Sequence, residues 1–161
     1  MRLNQVLKGA VAGAAGTTAL NTVTYLDMAT RGRPASSTPE RTVEALSAKS
    51  GVDVPGDEDE RQARLGGLGA LTGIAAGVGV GALLGGLRAA GLRLGPVTGP
   101  LVAGALAMVV GNGPMAGLGV SNPRDWAAKD WAADVVPHVA YGVVTWFALE
   151  EQTRVRLLGT T

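Results

Sequence analysis

Gly69, Gly73, Gly77, Gly81 and Gly85 stand at strict four-residue spacing inside a run, Leu65 to Leu87, that holds no charged residue. Arg64 and Arg88 close the run at its two ends. In water this would be a poor helix, because each interior glycine costs about 1 kcal/mol relative to alanine. In a bilayer the backbone must satisfy its own hydrogen bonds, so the segment is helical whatever its propensity. Small residues at i, i+4 then leave a groove in which another helix can approach closely. The ladder predicts a membrane-spanning helix made for tight packing.

Composition agrees with that reading. The 161 residues suit one domain, are 47% hydrophobic and only 17% charged, and have a positive mean hydropathy. Soluble domains average about 25% charged residues. The charges here cluster in short stretches, as expected of a multi-pass membrane protein. A net charge of +1 offers no basic face for nucleic acid. The absence of cysteine excludes disulfides and thiolate metal sites.

Four segments are expected to span, judged against the ~20 apolar residues a spanning helix needs. They are residues 6–29, 65–87, 95–110 and 135–149. Lys8 can snorkel from the first. That segment stays apolar to Leu26, longer than the core of a signal peptide, and so reads as a retained span.

Two amphipathic surface helices are expected between the spans. The first covers residues 38–49, with Ser37 or Thr38 as cap, Pro39 in the first turn and Gly51 as stop. The second covers 122–133, with Asn122 as cap, Pro123 following and Asp125 placed to complete a capping box. Trp126 and Trp131 in that segment read as interfacial anchors at headgroup level. The alignment of Thr38-Pro39-Glu40-Arg41 with Asn122-Pro123-Arg124-Asp125 suggests a weak internal repeat of span, surface helix and span. The fold class is therefore all-α: a four-helix transmembrane bundle in a single integral membrane domain, residues 1–161.

The ladder is the main packing candidate, joined by Gly95 and Gly99 of the third span, which continue through Ala103 and Ala107. Gly9, Gly13 and Gly16 give the first span a similar stripe. With three such stripes, packing within one chain needs no further partner, although a self-association seam is the sharper alternative.

Polar residues within the spans define a second candidate, a polar pathway of Asn21, Asp27, Asn112, Asp134, His138 and Tyr141. Gly111-Asn112-Gly113-Pro114 interrupts the third span, which is expected to end at Gly111 before a surface loop; a re-entrant segment is the alternative. Asp130, Asp134 and His138 share a face only on one continuous helix. Pro137 argues instead for a span that starts near Asp134, capped by it, with His138 in the first turn. Asp57 to Glu60 read as a charge run that favours a helix start.

Walker, nucleophile-elbow and HExxH motifs are all missing, and the chain has a single histidine, so no catalytic residue, metal or cofactor is expected. Tyr25-Leu26-Asp27-Met28, the stretch from Arg33 to Glu40, and Pro137-His138-Val139-Ala140-Tyr141-Gly142 resemble those of small multi-pass membrane proteins of actinobacteria. The resemblance covers most of the chain and implies a membrane location with no particular activity. The expected role is a small protein of the bacterial plasma (inner) membrane that acts through helix packing. Its partners would be the lipid bilayer and either a larger membrane complex or further copies of itself. A channel or transporter for protons or a small polar solute is the alternative.

Overall fold

The computed structural model describes residues 2–158, with side chains described for residues 3–152. It is all helical: α1 (Arg2–Arg31), α2 (Thr38–Ser50), α3 (Glu58–Ala89), α4 (Thr98–Gly117) and α5 (Ala128–Leu158). A single 3-10 turn, Pro123–Asp125, lies between α4 and α5, and there is no strand among the described residues.

The four long helices alternate in direction. Gln5 and Gly9 of α1 meet Gly85, while Thr17 meets Gly77, so α1 and α3 are antiparallel. Lys8 reaches Gln152 and Gly16 reaches Tyr141 and Thr145, so α5 is antiparallel to α1. Gly99 faces Trp146 and Asn112 bonds Asp134, so α4 is antiparallel to α5. α1 lies between α3 and α5, and α2 packs along the N-terminal part of α3, with Pro39 facing Gly69.

Among the described residues three helices, not four, are long and apolar enough to cross a membrane: Glu58–Ala89, Thr98–Gly117 and the Ala128–Gln152 part of α5. The exception is α1. Thr17, Thr18, Asn21, Thr22 and Thr24 lower the apolarity of a segment that is otherwise long enough.

Three further expectations are corrected. α4 does not end at Gly111; it continues through Gly111-Asn112-Gly113-Pro114 to Gly117. The stop is Gly119, whose φ of +71° is the left-handed geometry that terminates helices, while Gly111 keeps helical geometry. Gly119 and Val120 donate back to the carbonyls of Ala116 and Met115. Pro114 has no N–H to give, but it leaves the rest of the ladder in place.

α5 does not begin at Asp134. Asp130 accepts from the Ala127 N–H at 3.0 Å, which starts the helix at Ala128 and carries it unbroken through Pro137. The second surface helix therefore shrinks to the Pro123–Asp125 turn, capped by Asn122 accepting from Arg124 N–H, and the suggested repeat is not realised. Finally, Gly95 lies before α4, where its N–H donates to Thr98 Oγ1 at 2.9 Å.

Candidate functional site

The glycine ladder is divided among neighbours. A Cβ on Gly81 would lie 2.6 Å from both the Cα and the N of Gly13, and one on Gly9 would lie 3.0 Å from the Gly85 Cα. Backbone therefore meets backbone along the α1–α3 seam, and glycine is required by close approach. Gly77 faces Thr17 and Tyr141, and Gly69 faces Pro39 of α2. Gly73 has nothing within 4 Å of its Cβ position, so it belongs to no seam. Gly99 is covered by the Trp146 indole, and Gly95 touches only Thr98.

In the seam between α4 and α5, where Gly99 of the expected third-span ladder meets Trp146, Gly104 and Gly142 had not been singled out. A Cβ on Gly142 would sit 2.8 Å from Gly104 N, and one on Gly104 would sit 2.7 Å from the His138 carbonyl. Gly142 is isolated in its helix sequence, and only the pairing of elements shows its role.

Tyr141 takes part in this packing. It is 0% exposed, and its hydroxyl donates to the Gly77 carbonyl at 2.6 Å, tying α5 to α3. Thr17 likewise turns inward and donates to the Gly13 carbonyl at 2.8 Å.

The polar candidates separate into two groups. Asn112, Asp134 and His138 meet at one end of the α4–α5 seam. Asn112 Nδ2 donates to Asp134 Oδ2 at 2.8 Å, and His138 Nδ1 lies 2.7 Å from the Asp134 carbonyl oxygen and 3.5 Å from Asp134 Oδ1. A carbonyl oxygen can only accept, so Nδ1 carries a proton. Nε2 points toward Gly111, at 4.0 Å from its Cβ position. The continuity of α5 through Pro137 makes this grouping possible.

Asp27 lies apart from that cluster. Its carboxylate is bonded to both Arg31 and Arg33. It lines a crevice of about 180 Å³ between α1 and α5, together with Val23, Ala133 and Pro137. Asn21 is half-buried on α1 and meets none of these groups through a hydrogen bond. A larger groove of about 640 Å³ runs between α2 and α3, lined chiefly by apolar residues such as Val43, Leu46, Leu68 and Leu71. It contains none of the polar candidates.

At the opposite end, Arg88 is paired with Glu150, and its guanidinium carbon lies 5.9 Å from the Trp146 ring centroid. Lys8 donates to the Gln152 carbonyl. This charged closure was missed in the sequence because its partners are far apart in the chain. Trp126 and Trp131 form an edge-to-face pair with centroids 5.0 Å apart, and Trp126 Nε1 donates to Ser121 Oγ at 2.9 Å. No group of three metal-ligating side chains occurs among the described residues.

No protein-family model matches the chain, and neither a curated protein nor a solved structure matches it.

Proposed function

We propose that the protein is a four-helix integral membrane protein of the bacterial inner membrane, with α1 as the fourth span, serving as an accessory subunit of a membrane complex. The observation that carries this reading is an inverted bundle. Glycine, alanine and threonine line much of the seams around a small core that includes Leu84, Tyr141 and Leu149, while many large apolar side chains point outward. Leu101 is 59% exposed and Phe147 51% exposed, and Val136, Val139, Val143 and Phe147 form one outward stripe on α5. Lipid is the solvent that suits such a surface.

Charge levels support the same placement. Lys8 to Asp27, Arg64 to Arg88 and Asp134 to Glu150 bracket the apolar parts of α1, α3 and α5. At 1.5 Å per residue these intervals are about 29, 36 and 24 Å, close to the ~30 Å of a hydrocarbon core. α1 tolerates its threonines because Thr17, Thr18 and Thr22 return their hydroxyls to carbonyls one turn back.

Gly69, Gly77, Gly81 and Gly85 are used inside the chain, so a partner meets other surfaces. The uncovered part of α3 around Leu71, Gly73 and Ile74 is the place to look. A photo-crosslinker in place of Leu71 should capture a partner protein or a second copy in native membranes. Capture of lipid alone would count against both.

A second reading, proton or polar-solute handling, is favoured by one observation: the linked Asn112, Asp134 and His138. Proteoliposome flux that is the same for wild type and His138→Ala would remove that role from His138.

A further inference from the structure

The antiparallel arrangement sorts the charged residues into two sets that the sequence order mixes. The start of α1, the end of α3, the start of α4 and the end of α5 lie together, as the Lys8–Gln152 and Arg88–Glu150 contacts require. That end carries six basic residues, Arg2, Lys8, Arg88, Arg93, Arg154 and Arg156, against Glu150 and Glu151, a net charge of +4. The opposite end, from Asp27 to Arg64 and from Arg124 to Asp134, carries eight basic and eleven acidic residues, a net of −3. The chain total of +1 hides this dipole.

At the acidic end Arg31, Arg33, Arg61 and Arg64 are each bonded to a carboxylate. At the basic end the ion pair among described side chains is Arg88 with Glu150. Exposed Arg93 is held by donating to the Arg88 and Leu92 carbonyls, at 3.0 and 3.3 Å. A guanidinium has five N–H donors, so Arg93 keeps others for an outside oxyanion. Two helix N-termini and two C-termini share this end, so the helix dipoles largely cancel and the side chains set its field.

We infer that the basic end is seated on the anionic phospholipid headgroups of the cytoplasmic leaflet, with the start of α1, the α3–α4 turn and the end of α5 facing the cytoplasm. This rests on the membrane reading above. Cations near an anionic surface are drawn to it within a Debye length, and the acidic end is repelled.

The chain has no cysteine, so single reporters are unambiguous. Leu92→Cys and Ala90→Cys mark the basic end, and Val52→Cys and Ser50→Cys the acidic end; all four sites are exposed. Each variant is expressed in a bacterium with an anionic inner membrane, fractionated, and treated as intact spheroplasts with a membrane-impermeant maleimide. The expected result is labelling of the Val52 and Ser50 reporters in intact spheroplasts, and of the Leu92 and Ala90 reporters only after lysis. Inverted or equal labelling in membrane-bound protein overturns the inference. Protein found in the soluble fraction overturns the membrane reading itself, and fractionation registers this separately. In a strain lacking anionic phospholipids the one-sided labelling should be lost. Unchanged one-sidedness there would overturn phospholipid as the partner.

Discussion

Replacing Gly81 by alanine should destabilise the protein, while the same change eight residues earlier, at Gly73, should not. The added Cβ at Gly81 would stand 2.6 Å from the Cα and N of Gly13, whereas ordinary contact begins at 3.4 Å. Both atoms are backbone, so no rotamer can yield, and α1 must move away by about 1 Å. A gap of that size forfeits a quarter to a half of each contact worth about 0.1–0.2 kcal/mol. Over a few tens of atom pairs along the seam this amounts to about 1–3 kcal/mol, the range measured for overpacked interiors. At Gly73 nothing lies within 4 Å, so alanine meets no obstacle and gains up to about 1 kcal/mol of helix propensity. The assay is thermal unfolding in a mild detergent followed by circular dichroism. The Gly81→Ala midpoint should fall by several degrees, and that of Gly73→Ala should hold or rise. Equal losses in the two variants, or none at Gly81, would refute the division of the ladder.

Other outcomes follow from the same geometry. Tyr141→Phe removes the 2.6 Å bond to the Gly77 carbonyl and should cost about 0.5–1.5 kcal/mol in the same unfolding measurement, with helix content unchanged. Arg88→Gln should cost about 1–3 kcal/mol, between an exposed and a buried pair, and a double-mutant cycle with Glu150→Gln should show positive coupling. Nitrogen NMR of the single histidine should show a proton on Nδ1; a ring protonated on Nε2 alone would contradict its bond to the Asp134 carbonyl. Gly142→Ala should open the α4–α5 seam and lower stability much as Gly81→Ala does, because its Cβ would meet Gly104 N at 2.8 Å.

What could be read from the sequence was local. Leu65 to Leu87 announced a helix through its lack of charge, and Thr38-Pro39 with Gly51 marked α2 to within a residue. The start of α5 was misplaced because Pro137 was read as a helix beginning, while Asp130 was in fact closing the first turn several residues earlier. The end of α4 was misplaced because Gly111 and Pro114 resemble stops, and only a positive φ at Gly119 distinguishes the stop in use. Which glycines of the ladder touch a neighbour was beyond reach. Gly73 and Gly77 are equivalent by spacing, and the placement of α1 and α2 alone separates them. Asn112 and Asp134 could be grouped as polar residues of one pathway, but their direct bond could not be read, since it depends on the path of α5 running unbroken through Pro137.

The composition of α1 has a consequence for biosynthesis. On the proposed placement this helix is translated before the other three spans, yet its threonines and Asn21 keep it from being apolar enough to count as a span by composition alone. The surfaces that shelter it, on α3 and α5, are translated later. A nascent chain that stalls before α3 would present the insertion machinery with a segment it has little reason to keep. On that placement, the permanence of the first helix in the bilayer would be conferred afterwards, by the arrival of helices it was synthesised ahead of.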